Sequence, residues 1–162
     1  MDIEVIRSPR RTRTISAERR GGKLLVRIPA RMSEVEEREW VGKMVDRVLA
    51  KERAAELNAG AALERAAARL NDRYFGGHLR WSSIRYVTNQ GMRYGSCTPS
   101  DGTIRISHRV AGLPDFVRDY LVMHELAHLE EHGHGAGFHA LVDRYPLAER
   151  ARGYLMALER SG

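Results

Sequence analysis

The sequence predicts an α+β fold: a small antiparallel β meander, then helices, and late in the chain a helix carrying two histidines four residues apart. Three observations carry this reading. Residues 3–28 alternate with period 2, as half-buried strands do. Two stretches between residues 33 and 75 repeat their apolar residues at helical spacing. The segment Tyr120–His134 sets His124-Glu125-Leu126-Ala127-His128, the pattern H-E-x-x-H, inside an apolar run. At 162 residues the chain is read as a single domain over 1–162, divided into a basic β meander (1–30), a helical scaffold (31–77) and a core carrying the histidine motif (78–162).

In the first part, Ile3 and Val5 alternate with charge. Thr12, Thr14 and Ser16 alternate with Arg13, Ile15 and Ala17, and Leu24, Val26 and Ile28 form a third apolar face. Arg20-Gly21-Gly22-Lys23 is read as the turn between the last two strands. The net charge of +6 is concentrated here: residues 1–31 hold nine Lys or Arg against three acids, and the remainder holds 18 of each sign. Arginines are therefore expected on the open face of the sheet, and Arg10, Arg11 and Arg13 are candidate contacts for nucleic acid. A solvated, solubilising face is the simpler reading of the same residues.

Pro29 ends the sheet, and Ser33-x-x-Glu36 is a capping box that opens a helix to about Glu52 with Val41, Met44, Val45 and Val48 inward. A second helix is expected over about 61–75, with Leu63, Ala67, Leu70, Tyr74 and Phe75 inward and Gly76-Gly77 as its stop. Strands are expected at Ile84–Thr88 and Thr103–Ser107, joined by a connection from Arg93 to Gly102 rich in turn residues. The motif helix should run over about 115–132, with Gly133 as its stop. A short helix then begins near Phe138, Pro146 breaks it, and a last helix offers Leu147, Tyr154, Leu155 and Leu158 for packing.

The motif points to metal chemistry for a geometric reason. Residues four apart on a helix lie above one another, so His124 and His128 can present two imidazole nitrogens to one zinc ion. Glu125 sits about 100° round the helix, where it can act as general base to a water activated at the metal without being a ligand. Burying two histidines and a glutamate among Leu121, Val122, Met123, Leu126 and Leu129 would be costly without such a purpose. Three candidates compete for a third ligand. His134 follows His124 by ten residues, behind Gly133; His132 extends the helical row; His139 lies in the next helix. Asp143 is a weaker candidate, as an acid that orients a ligand imidazole.

The residues Arg93-Tyr94-Gly95-Ser96-Cys97, Gly102 to Ser107, Leu113-Pro114, His124 to His128, His134 and Phe138 resemble the YgjP-like predicted metallopeptidases, relatives of the SprT-like zinc proteases. The likeness is close from about Arg93 to Val142 and looser toward the N-terminus. It implies a zincin-like fold, a Zn2+ cofactor held by His124, His128 and His134, and Glu125 as catalytic base. It also implies peptide or protein substrates and an active-site wall built from Arg93–Ser107. Within that wall Arg93 and Tyr94 are candidates to steady a transition-state oxyanion. His139, where it is not a ligand, is read as a pocket residue. Tyr94 and His139 stand where the family pattern has Trp, His132 where it has Asn and Gly135 where it has Ser. These departures bear on the substrate pocket rather than the metal set.

Composition narrows the alternatives. No run of about 18 apolar residues predicts a membrane span. Met1-Asp2-Ile3-Glu4 opens no signal peptide, and the single cysteine, Cys97, cannot form an internal disulfide. Together these lead to the expectation of a cytoplasmic protein without a membrane partner. The expected function is zinc-dependent peptide-bond hydrolysis. The alternatives are a nucleic-acid-associated protease of SprT-like type and a metal-dependent hydrolase that acts on other bonds. Cys97 is read as a small buried hydrophobe.

Overall fold

The computed structural model describes residues 1–161. It is mixed α and β, with five α-helices and two three-stranded sheets, and it divides into two compact units, Met1–Arg53 and Ala54–Gly162.

In the first unit, β1 (Ile3–Ser8), β2 (Ser16–Arg20) and β3 (Lys23–Pro29) form a sheet of order β1-β3-β2. This corrects the expected antiparallel meander. The β2–β3 hairpin is antiparallel, turning at Gly21 and Gly22, both with positive φ, but β1 pairs parallel to β3, with Val5 opposite Val26. The reason lies in β3. Its Leu24, Val26 and Ile28 are fully buried, so it takes the central place and separates β1 from β2. Residues 9–15, expected to continue a strand, are instead the connection that crosses from one edge to the other.

The capping box forms as expected: the Glu36 amide donates to Ser33 Oγ at 3.3 Å, and the Ser33 amide donates to Glu36 Oε2 at 3.0 Å. Three glutamates in the first turn complement the helix dipole. The helix α1 (Glu34–Ala59) runs seven residues past the expected end at Glu52, because Arg53 to Ala59 contains no breaker and Gly60 is the first. Met44, with Val41, Val45 and Val48 around it, packs in the same cluster as Leu24, Val26 and Ile28.

In the second unit, α2 (Ala62–Tyr74) follows a turn in which Ala61 has φ 50°. A second sheet has order β4-β6-β5, from β4 (Ser83–Val87), β5 (Gly95–Thr98) and β6 (Thr103–Ser107). β4 is parallel to β6 and β5 antiparallel to it. β5 lies within the stretch that the sequence reads only as a connection. Its Gly-Ser-Cys-Thr has no alternating apolar signal, and pairing with β6 makes it a strand. Ile104 and Ile106 of β6 are fully buried and reach the same core as α3 (Asp115–Ala127). Then come α4 (Ala136–Val142) and α5 (Ala148–Arg160). Ala148, Ala151 and Leu155 form the buried stripe of α5, whereas Leu147, Tyr154 and Leu158 of the expected stripe stay more than a third exposed. Among the described residues no helix is long and apolar enough to cross a membrane.

Candidate active site

α3 is buried along most of its length, with Val117, Val122, Met123, Leu126 and Ala127 at zero exposure. That burial fixes the rotation of the helix and turns His124 and Glu125 toward a cleft of about 760 Å³. The helix ends at Ala127, five residues before the expected limit, and His128 is its cap. Past that point the amides of Leu129, Glu130 and Glu131 bond back to Leu126 and Ala127 in tight turns. Gly133 is therefore not the helix stop, and its φ is not positive. The chain reverses earlier and returns His134 to the end of α3.

Three imidazoles converge there. One ring nitrogen from each of His124, His128 and His134 lies within 4.8 Å of the other two, and His134 Nε2 stands 3.3 Å from His124 Nε2. A tetrahedral zinc with Zn–N of about 2.0–2.1 Å places its ligand nitrogens about 3.3 Å apart, so this edge of the cluster already has the spacing of a ligand pair. His128 Nδ1 lies 2.9 Å from the Glu131 carbonyl. A carbonyl only accepts, so Nδ1 carries the proton and Nε2 keeps its lone pair, which is the tautomer a metal needs. Burial pushes the His124 imidazole down to about 4, with His128 and His134 adding to the effect, and burial also lowers His128. Both rings are thus neutral near pH 7. The donor set fits zinc: three imidazole nitrogens, leaving a fourth position for substrate or solvent.

Phe138 holds this arrangement from beneath. Its ring is fully buried and its centroid lies 4.8 Å from that of His124, 4.5 Å from His128 and 4.8 Å from His134. One apolar floor therefore touches all three rings and restricts their rotamers. His132 lines the cleft beside them. His139, expected as a pocket residue, instead lies on α4, exposed, outside the three-histidine cluster and not among the residues that line the cleft, with its ring 5.6 Å from that of Phe138. Asp143 bonds to Arg152 rather than to an imidazole.

Glu125 is 4% exposed. Burial pushes its carboxyl up to about 8, and the nearby Arg93 guanidinium pulls in the opposite direction. The opposite wall of the cleft is β5 and the residues that flank it: Arg93, Tyr94, Gly95, Ser96 and Cys97. Gly95 is packed so closely on Glu125 that a Cβ at that position would lie 2.7 Å from Oε1. Burial, with Glu125 and Asp101 adding to it, pushes the Cys97 thiol up to about 11, so it is protonated and inert at neutral pH. The sequence reading gives Gly95 no role beyond a letter of a resemblance, and Phe138 none beyond that and the start of a short helix. No periodicity marks a glycine that makes room for a carboxylate or a phenylalanine that supports three histidines.

A model of the YgjP-like metallopeptidase domain matches residues 31–156. The chain belongs to the YgjP-like metallopeptidase family. That makes it, at the level of the family, a metal-dependent peptidase-type hydrolase. Among solved structures, the crystal structure of the metallopeptidase zymogen abylysin from Pyrococcus abyssi is similar at 26% identity. The match covers 56% of this chain and 86% of that one, with a TM-score of 0.47. No curated protein matches this YgjP-like chain.

Of the residues singled out in the N-terminal segment, Arg10 and Arg13 are exposed, and Arg11 donates to the Thr14 carbonyl at 3.4 Å. None of the three forms an ion pair among the described residues. By contrast Arg7 pairs with Glu37, Arg19 with Glu52, Lys23 with Asp2 and Arg27 with Glu18.

Proposed function

We propose that this protein is a zinc-dependent peptidase in which His124, His128 and His134 hold the metal and Glu125 is the general base. The observation that carries the proposal is the convergence of three imidazole nitrogens within 4.8 Å of one another in the cleft that Glu125 also lines. A zinc ion bound there would lower the pKa of a water toward neutrality and polarise a peptide carbonyl. Glu125, which lines the same cleft, would take the proton of such a water on a carboxylate oxygen and pass it to the departing amine. Arg93 and Tyr94, on the facing wall, are placed to steady negative charge that develops on the carbonyl oxygen.

The sheet supports a peptide substrate over a small one. The Ser107 amide donates to the Tyr94 carbonyl at 2.7 Å, and Gly95 is opposite Ile106. Antiparallel pairing alternates, so the peptide groups of Gly95 and Cys97 point away from β6 toward the unpaired edge of the sheet. An extended chain can add there as a further strand. The other edge is closed at its centre: Asn58 accepts from the Tyr86 amide at 2.8 Å and donates to its carbonyl at 3.0 Å.

The test is metal analysis joined to turnover of an unfolded protein substrate by the wild type and Glu125→Gln. The variant should keep its zinc and lose turnover by about 10²–10⁴-fold. An active Glu125→Gln protein refutes the base. A zinc-loaded wild type that cleaves activated esters but no peptide favours a hydrolase of other bonds.

A further inference from the structure

The cleft wall from Arg93 to Gly95 hangs on a surface loop, and one arginine outside the cleft ties that loop down. The loop turns at Gln90–Arg93, where the Arg93 amide donates to the Gln90 carbonyl at 3.0 Å and Gly91 has φ 58°. Met92 at its tip is 93% exposed and contributes no buried surface to hold it. The Gln90 side-chain amide donates to Ser96 Oγ at 2.9 Å and the Ser107 amide donates to the Tyr94 carbonyl at 2.7 Å; Arg109 supplies the further attachment, at Gly91 and Arg93. Its Nη2 donates to the carbonyls of Gly91 at 2.5 Å and Arg93 at 3.2 Å, and its Nε donates to Ser107 Oγ at 3.1 Å. Its guanidinium also lies 5.8 Å from the centre of the Tyr94 ring. Ser107 is 2% exposed at the end of the central strand, so the anchor point is rigid.

We infer that Arg109 is a positioning residue that sets where the Arg93–Gly95 wall stands relative to Glu125. The inference rests on the reading of Glu125 as general base. Two carbonyls, a hydroxyl and a ring face are engaged by one planar fork, a set that the single ammonium of lysine cannot reproduce. Gly95 touches Glu125 and follows Tyr94 directly, so a shift of the loop is transmitted to the carboxylate. Arg109 itself lines no part of the cleft among the described residues.

The experiment compares wild type, Arg109→Met and Arg109→Lys as zinc-loaded full chains. Hydrogen exchange of the Arg93 amide should speed up by about tenfold or more in Arg109→Met, with α3 amides unchanged and zinc content intact. Turnover should fall mainly in kcat, by about tenfold, and Arg109→Lys should recover only part of both effects. Unchanged exchange at Arg93, or exchange raised equally along α3 and β4, overturns the inference, as does a full rescue by lysine. A wild type that cleaves no peptide would refute the peptidase reading, and the exchange result would still decide whether Arg109 holds the loop.

Discussion

Replacing Gly95 by alanine is the sharpest test of how the cleft works, because it adds one methyl group at a known place. The φ of Gly95 is outside the left-handed region, so the backbone itself accepts alanine. The new Cβ would meet Glu125 Oε1 at 2.7 Å, and Cγ and Cδ at 3.1 Å each. Ordinary contact begins near 3.4 Å, so the carboxylate or the strand must yield by about 0.7 Å. Glu125 is 4% exposed and lies on a helix packed on several sides, so its side chain moves rather than its backbone. Overpacking of this kind costs about 1–3 kcal/mol, which for a chain of this size lowers Tm by about 2–12 °C. Misplacing a general base by nearly 1 Å costs on the order of 10²-fold in rate. The three atoms nearest the new methyl all belong to Glu125 and none to a histidine, so zinc affinity should stay within a few-fold of wild type. Zinc titration, a melting curve and steady-state turnover of Gly95→Ala measure the three quantities separately. Turnover at the wild-type level would refute the reasoning, and so would a loss of turnover that tracks a loss of zinc.

His134→Ala should weaken zinc binding by more than about 100-fold and His139→Ala only by a few-fold, because His139 lies outside the cluster; titration of both variants giving the opposite order would move the ligand role to His139. Cys97, pushed up to about 11, is about 0.1% thiolate at pH 8, so its alkylation rate should rise tenfold per pH unit from 7 to 9.5; levelling off near pH 8.5 would contradict the burial argument. If Arg10, Arg11 and Arg13 bind nucleic acid, the affinity should fall with salt at a log–log slope of about −0.9 per phosphate on duplex. Their triple replacement by Gln should then flatten that slope by about two to three, and a slope left unchanged returns them to a solvated face.

The elements that could be read from the sequence are those whose signal is local. The capping box at Ser33 and Glu36, the apolar stripe of α2 and the Gly21-Gly22 hairpin each depend on residues a few positions apart. The missed features are long-range. β1 runs parallel to β3 because the most apolar strand takes the centre of the sheet, a competition among three strands that no single window displays. β5 has no strand pattern of its own and depends on β6. The last two turns of α1 lie past the expected end for the opposite reason: Arg53 to Ala59 is plain helix-forming sequence, with no cap to mark where the helix continues.

The candidate site divides in the same way. Spacing alone places His124 and His128 on one face of a helix and Glu125 beside them. It does not say how His134 arrives. Gly133 suggested a helix stop, yet α3 already ends at Ala127, and tight turns over Leu129–Glu131 carry out the reversal. Those turns also bring the Glu131 carbonyl to His128 Nδ1, so the reversal that delivers the third imidazole fixes the tautomer of the second. Phe138, four residues beyond His134, then closes the floor beneath all three rings. The helical pair is thus a local feature and the triad a tertiary one. A change in the 129–133 turn that leaves every histidine in place should still alter metal affinity, through the His128 tautomer and the path of His134.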